Sequence, residues 1–139
     1  MEFKVEEEPD PEEVAALDDR IRAETIEVAA VGEEIELAIF VRDRGKVRAG
    51  IYGWTWGGTC ELQSLWVDPD LRHQGLAGQL LAAAESEARA RACRQIVFFT
   101  HQFQAPGFYE KRGFRVVGRV DGYPEGTAAL WFSKDLGRS

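Results

Sequence analysis

Leu65-Trp66-Val67-Asp68-Pro69-Asp70-Leu71-Arg72-His73-Gln74-Gly75-Leu76-Ala77-Gly78 is the stretch on which the reading of this chain turns. A β-branched and aromatic run breaks at a proline, and a glycine then opens a helical pattern. At such a helix start the backbone N–H groups from Arg72 to Gly78 would lack intrahelical partners, and the small residues Gly75, Ala77 and Gly78 would let an anion come close. The segment therefore reads as strand, phosphate cradle and helix start, suited to a pyrophosphate. Its spacing excludes two other phosphate loops. No lysine follows Gly75 or Gly78 as a P-loop requires, and Gly75-Leu76-Ala77-Gly78 does not supply Gly-x-Gly-x-x-Gly.

What remains is Arg-x-x-Gly-x-Ala after a Val-x-Pro strand end, and this resembles the acetyl-CoA loop of the GNAT superfamily of N-acetyltransferases. A second segment in the expected order, Ala105-Pro106-Gly107-Phe108-Tyr109-Glu110-Lys111-Arg112-Gly113-Phe114, is similar to the superfamily's Ala-x-x-Phe-Tyr-x-Lys-x-Gly-Phe signature. The resemblance is tight from about Glu61 to Val120. Phe103-Gln104-Ala105 and Gly122-Tyr123-Pro124-Glu125-Gly126 are similar to a subgroup of small bacterial acetyltransferases, and the first sixty residues carry little signature.

Composition fits one soluble domain. The 139 residues, 45% of them hydrophobic, can bury one core and are too few for two ordinary domains, so residues 1–139 are expected to form a single domain. No apolar run approaches the roughly 20 residues of a membrane-spanning helix, and Met1-Glu2-Phe3-Lys4 leads into no signal-peptide core. A cytoplasmic protein is expected. Cys60 and Cys93 have no metal-type spacing and are expected to be reduced thiols, and no metal site is expected.

The net charge of −7 is unevenly spread. Residues 1–70 carry 18 acidic and 7 basic side chains, net −11, whereas residues 71–139 carry 6 acidic and 10 basic, net +4. A basic half holding the phosphate loop suits a polyanionic cosubstrate, and an acidic half suits a cationic amine, unless the glutamates merely solvate their elements. With no basic aromatic stripe, nucleic acid is not expected as a partner.

Along the chain, Phe3–Glu8 reads as a strand, and Pro9-Asp10-Pro11 opens a helix over Glu12–Arg22 with Val14, Leu17 and Ile21 on one stripe. Thr25–Glu33 gives no clear pattern. Glu34–Arg42, Val47–Trp56 and Thr59–Val67 read as an antiparallel meander turning at Asp43-Arg44-Gly45 and Gly57-Gly58. Gly75–Ala92 is an amphipathic helix, Ile96–Thr100 a buried strand, and Pro106 to Gly113 a short helix with Gly113 as its left-handed stop. Arg115–Val120 and Thr127–Lys134 are closing strands. The fold implied is an α/β mixed sheet with an antiparallel N-terminal meander, splayed parallel central strands and flanking helices.

The resemblance also implies a chemistry: transfer of the acetyl group of acetyl-CoA to a primary amine by direct attack in a ternary complex. Acetyl-CoA would enter where the strands ending at Val67 and Thr100 splay, with backbone groups of Leu65 and Val67 on its acetyl and pantetheine portions. Arg72, His73, Gln74, Gly75, Leu76, Ala77 and Gly78 would hold the pyrophosphate. Tyr109 would donate a proton or hydrogen bond to the departing thiolate. Glu61, six residues before Val67 and so expected on one strand face with it and with Leu65, is the candidate base for an incoming ammonium. Gln102 stands where many relatives have an asparagine that helps bind the cofactor arm. His101 could relay a proton from the same mouth or simply be hydrogen-bonded. Tyr52, Trp54 and Trp56 share one face of a strand with Trp66 on the next, and could line an acceptor pocket, meet a second copy of the chain, or cover a core. Cys60 faces away from Glu61 and has no evident base. The acceptor would be a small-molecule or peptide amine. The alternative from another class is an acyl-CoA sensor or scaffold that keeps the fold without turnover.

Overall fold

A computed structural model of the protein describes residues 1–105 and 107–137. The expected helix start at Pro106 lies outside the described residues. The chain divides into two compact units, Met1–Glu33 and Glu34–Ser139.

The first unit is built on one helix, α1 (Pro11–Ala29). The Asp10 side chain accepts from the Glu12 N–H at 2.9 Å, Pro11 occupies the first turn, and Glu12 and Glu13 complement its positive end. It stops at Ala30, whose backbone is left-handed at φ 54° and whose N–H returns to the Ile26 carbonyl. The helix runs seven residues past Arg22, taking in Thr25, whose hydroxyl donates to the Ile21 carbonyl at 2.7 Å. The expected strand at Phe3–Glu8 is not formed. Lys4, Glu6, Glu7 and Glu8 crowd charge into it, and no strand pairs with it.

The second unit is a six-stranded mixed sheet, β1 (Ile35–Asp43), β2 (Lys46–Trp56), β3 (Thr59–Val67), β4 (Gln95–His101), β5 (Arg115–Asp121) and β6 (Ala128–Asp135), in the order β1-β2-β3-β4-β6-β5. The meander forms as read. Arg44 and Gly45 turn β1 into β2, and Gly57 and Gly58 turn β2 into β3, all four at positive φ as tight hairpins demand. Among the described residues only β3 and β4 run parallel, joined by α2 (Leu76–Ala90). Leu80, Leu81, Ala84 and Ala88 of α2 are buried with Ala49, Ile51, Cys60, Leu62, Ile96 and Phe98 of the strands. The expected helix before Gly113 is reduced to a short 3₁₀ turn at Glu110–Arg112, with Gly113 left-handed at φ 90° as expected.

Two irregularities shape the site. β3 carries one extra residue, Gln63, where its partners on β2 step from Gly53 opposite Leu62 to Tyr52 opposite Ser64. The bulge reverses the alternation, so Cys60 and Leu62 before it and Leu65 and Val67 after it face the same core. At the same place β3 parts from β4. Their register runs from Thr59 opposite Gln95 to Leu62 opposite Phe98 and goes no further, although both strands continue.

Candidate active site

The strand separation after Leu62 and Phe98 opens a cleft of about 920 Å³ between the ends of β3 and β4, the loop into α2, and residues 103–105 and 108–112. Backbone alternation determines what β3 offers it. The Asp68 N–H donates to the Arg48 carbonyl at 2.8 Å, so Trp66 and Ser64, two and four residues back, also turn their peptide groups toward β2. Leu65 and Val67 turn theirs the other way, to the side β4 has left. The Val67 carbonyl is already taken by Arg72 Nε at 2.8 Å, which ties the loop to the strand end.

The loop begins with Asp68, which accepts from the Asp70 N–H at 3.0 Å and from Arg48 Nε at 2.9 Å. These bonds, the Asp70 N–H foremost, hold the Asp68 carboxyl below its ordinary range. The backbone is then left-handed at His73 (φ 63°) and Gly75 (φ 82°), and α2 starts at Leu76. No side chain caps this start. The first backbone N–H to find a helical partner is that of Gln79, on the Gly75 carbonyl, so the N–H groups of Leu76, Ala77 and Gly78 are left over at the positive end of the helix. Arg72, His73, Gly75, Leu76 and Ala77 line the cleft; Gln74 and Gly78 do not.

Tyr109 is only 3% exposed, with its ring packed 5.0 Å from Phe98, 5.2 Å from Phe132 and 5.8 Å from Phe114 between centroids. It also lines the cleft, and no hydrogen bond joins its hydroxyl to any other described residue. Burial pushes its pKa up to about 12, so the phenol keeps its proton across neutral pH. A phenol placed so can donate to a group in the cleft.

Glu61 is not in this cleft. The bulge at Gln63 overturns the expectation that it shares a face with Leu65 and Val67: it lies on the opposite face of the sheet from α2, beside Trp54 on β2 and Val97 on β4. It stands one register before strand pairing ends. Burial and then the charge of Glu34 raise its pKa. On the same face Glu36 pairs in register with Trp54, the Tyr52 hydroxyl donates to Glu36 Oε1 at 3.0 Å, and the Tyr52 and Trp54 rings meet edge-on at 6.3 Å. The aromatic row of β2 thus lies away from α2, among carboxylates.

Gln102 also falls outside the cleft lining. Its N–H extends the β4–β6 ladder to the Ala128 carbonyl, and the chain then folds back so that Gln104 takes the place at the mouth. Gln104 Oε1 accepts from the His101 N–H at 2.9 Å and from the Thr100 hydroxyl at 3.0 Å. His101 stacks on Phe103, with Nδ1 3.0 Å from the Tyr123 carbonyl. Cys60 and Cys93 are free and buried; burial, then the nearby Cys93, pushes the Cys60 pKa up to about 12, which leaves it an unreactive thiol at neutral pH. Gln104 and Arg112, also in the lining, were not singled out from sequence; Gln104 lies just before the second signature and Arg112 inside it, and an arginine facing a glycine across the fold leaves no trace in spacing.

The family model for the acetyltransferase (GNAT) family matches residues 2–114. The chain belongs to that family. Among GNAT relatives, an acetyltransferase of Agrobacterium fabrum is 32% identical over 135 residues, 96% of this chain and 98% of its own. Blasticidin-S acetyltransferase of Streptomyces morookaense is 36% identical over 98 residues, 68% of this chain and 70% of its own. A crystal structure from Agrobacterium tumefaciens, of a protein assigned as an acetyltransferase, superposes with a TM-score of 0.87 at 31% identity, covering 97% of this chain and 99% of that one. The protein is an acetyltransferase of GNAT fold, and that fold generally uses acetyl-CoA. Among the described residues no helix is long and apolar enough to cross a membrane.

Proposed function

We propose that the protein transfers the acetyl group of acetyl-CoA to a primary amine by direct attack, without an acyl-enzyme. The observation that carries this reading is the wedge between β3 and β4. It presents the backbone groups of Leu65 and the Val67 N–H, an uncapped helix start and a protonated phenol in one cleft. The donor set fits a thioester joined to a pyrophosphate. The N–H groups of Leu76, Ala77 and Gly78, with Arg72, would take the phosphates; glycine at 75 both adopts the positive φ and leaves open space, with nothing within 4 Å of a would-be Cβ. The cosubstrate supplies an activated acyl carbon and a thiolate leaving group.

The chain's own residues would do the rest. The Leu65 peptide N–H is the donor available for the thioester oxygen, fixed in advance by strand pairing on its other side. Tyr109 would hand its proton or hydrogen bond to the sulfur. Glu61 would draw the proton from an ammonium arriving on the face away from α2, where Glu36, Tyr52 and Trp54 favour a cation by charge and ring face. Cys60 would take no part.

Turnover of acetyl-CoA with a panel of amines, read as free thiol, tests this. Blasticidin S belongs in the panel because a relative 36% identical is named for it. Thiol release that depends on an amine, with an N-acetylated product by mass spectrometry, is expected. Tight CoA binding without thiol release across the panel would instead support a sensor.

A further inference from the structure

The Arg112 side chain lies on the first turn of α2, against Gly78. A Cβ built on Gly78 would lie 2.8 Å from Arg112 Nη2 and 3.0 Å from its Nε, so the glycine is what lets the guanidinium sit on this backbone. Two contacts hold the group there: Nη1 donates to the Phe108 carbonyl at 3.0 Å, and its central carbon lies 3.9 Å from the centre of the Phe108 ring. Arg112 lines the cleft together with Arg72.

This placement is electrostatically odd. A cation at the positive end of a helix, in the same cleft as a second arginine, is disfavoured unless negative charge joins them. Among the described residues no carboxylate pairs with Arg112 or with Arg72, whereas Arg48, Arg89, Arg91 and Arg119 all have acidic partners. Of the five N–H donors on the Arg112 guanidinium, one is committed to Phe108. The others form a planar fork, the geometry that suits two oxygens of a phosphate.

We infer that Arg112, seated on Gly78, is a phosphate ligand of the CoA cosubstrate, in the same cleft as the 72–75 loop. The assignment rests on the CoA reading above. The shared chemistry is a phosphate monoester or diester, since CoA carries both a 3′-phosphate and a pyrophosphate.

The experiment is titration calorimetry of the whole protein with CoA, dephospho-CoA and pantetheine. Arg112→Leu should weaken CoA binding by about tenfold, the scale of one charge-assisted hydrogen bond, and should move pantetheine binding by less than about twofold. A loss shared equally by CoA and dephospho-CoA assigns the pyrophosphate; a loss confined to CoA assigns the 3′-phosphate. Gly78→Ala gives a second arm, because its methyl group must displace the guanidinium. It should weaken CoA binding when Arg112 is present and add nothing in the Arg112→Leu background. If Arg112→Leu does not fold, Arg112→Gln, which keeps a polar side chain and removes the charge and the fork, takes its place, with CoA set against pantetheine. Equal losses for CoA and pantetheine, or unchanged CoA binding, overturn the inference. A wild-type protein that fails to bind CoA overturns the underlying reading instead.

Discussion

Tyr109 and Glu61 stand on opposite faces of one sheet near the point where its central strands part, and each makes a prediction of its own. Tyr109→Phe keeps the ring that packs on Phe98, Phe114 and Phe132 and removes only the hydroxyl. Stability should hold while kcat falls by about 10²–10⁴-fold, with little change in acetyl-CoA affinity, because the lost bond strengthens only as charge develops on sulfur. Steady-state kinetics beside a melting curve decide it; an equally active Phe variant removes the acid role. Glu61→Gln probes the other face. The carboxyl's raised pKa keeps it a better proton acceptor than an ordinary glutamate once it is ionised. The variant should lose most turnover near neutral pH, where the acceptor is an ammonium, and the deficit should shrink toward about pH 10 as the amine deprotonates unaided. A ratio of wild-type to variant rates that stays flat with pH would make Glu61 structural.

The elements that make the wedge explain what the sequence could and could not disclose. Gly53 sits where β2 and β3 approach so closely that a Cβ would lie 2.1 Å from the Glu61 carbonyl oxygen and 2.8 Å from the Leu62 Cα. Gly53→Ala must push β3 away at the bulge. We expect a loss of about 1–3 kcal/mol in stability, as for an overpacked core, together with weakened CoA binding, read by denaturant titration and calorimetry. Unchanged stability would mean that the strands separate for another reason. The loop into α2, α2 itself and the three-stranded meander were legible because each is written in local chemistry: glycines at turns, apolar residues at helical spacing, alternation in strands. The bulge was not, since one inserted residue alters no composition and only the isolated glycine between Tyr52 and Trp54 hints at it. Placing Glu61 by counting residues to Val67 therefore failed at Gln63. The N-terminal strand failed for a different reason: pairing needs a neighbour, and Phe3–Glu8 has none.

Across the sheet unit, Glu85 of α2 ties the helix to β6. It accepts from Lys134 Nζ of β6 at 3.0 Å and from Arg89 Nη2 at 3.0 Å, and the Lys134 chain passes Gly113, its Cε 3.3 Å from a would-be Cβ there, with its ammonium 6.0 Å from the centre of the Phe114 ring. Helix, strand and the turn that carries Tyr109 thus meet at one ion pair. Burial works to raise the Glu85 pKa, but the bonds from Lys134 and Arg89 outweigh it and the net shift is downward. A carboxylate whose pKa is lower folded than unfolded adds stability above its unfolded value, and that stability is lost as pH falls through the folded value. Glu85→Gln should therefore cost about 1–2 kcal/mol at pH 7, a fall in Tm of roughly 2–8 °C for a chain of this size. The gap between variant and wild type should narrow as pH falls below the ordinary glutamate range and vanish once the lowered folded value is passed and the wild-type carboxyl is neutral too. Thermal melts of both proteins across that range decide the matter: curves that stay parallel into acid would show that the charge of Glu85 contributes nothing, and that α2 is held to the sheet by its buried leucines and alanines alone.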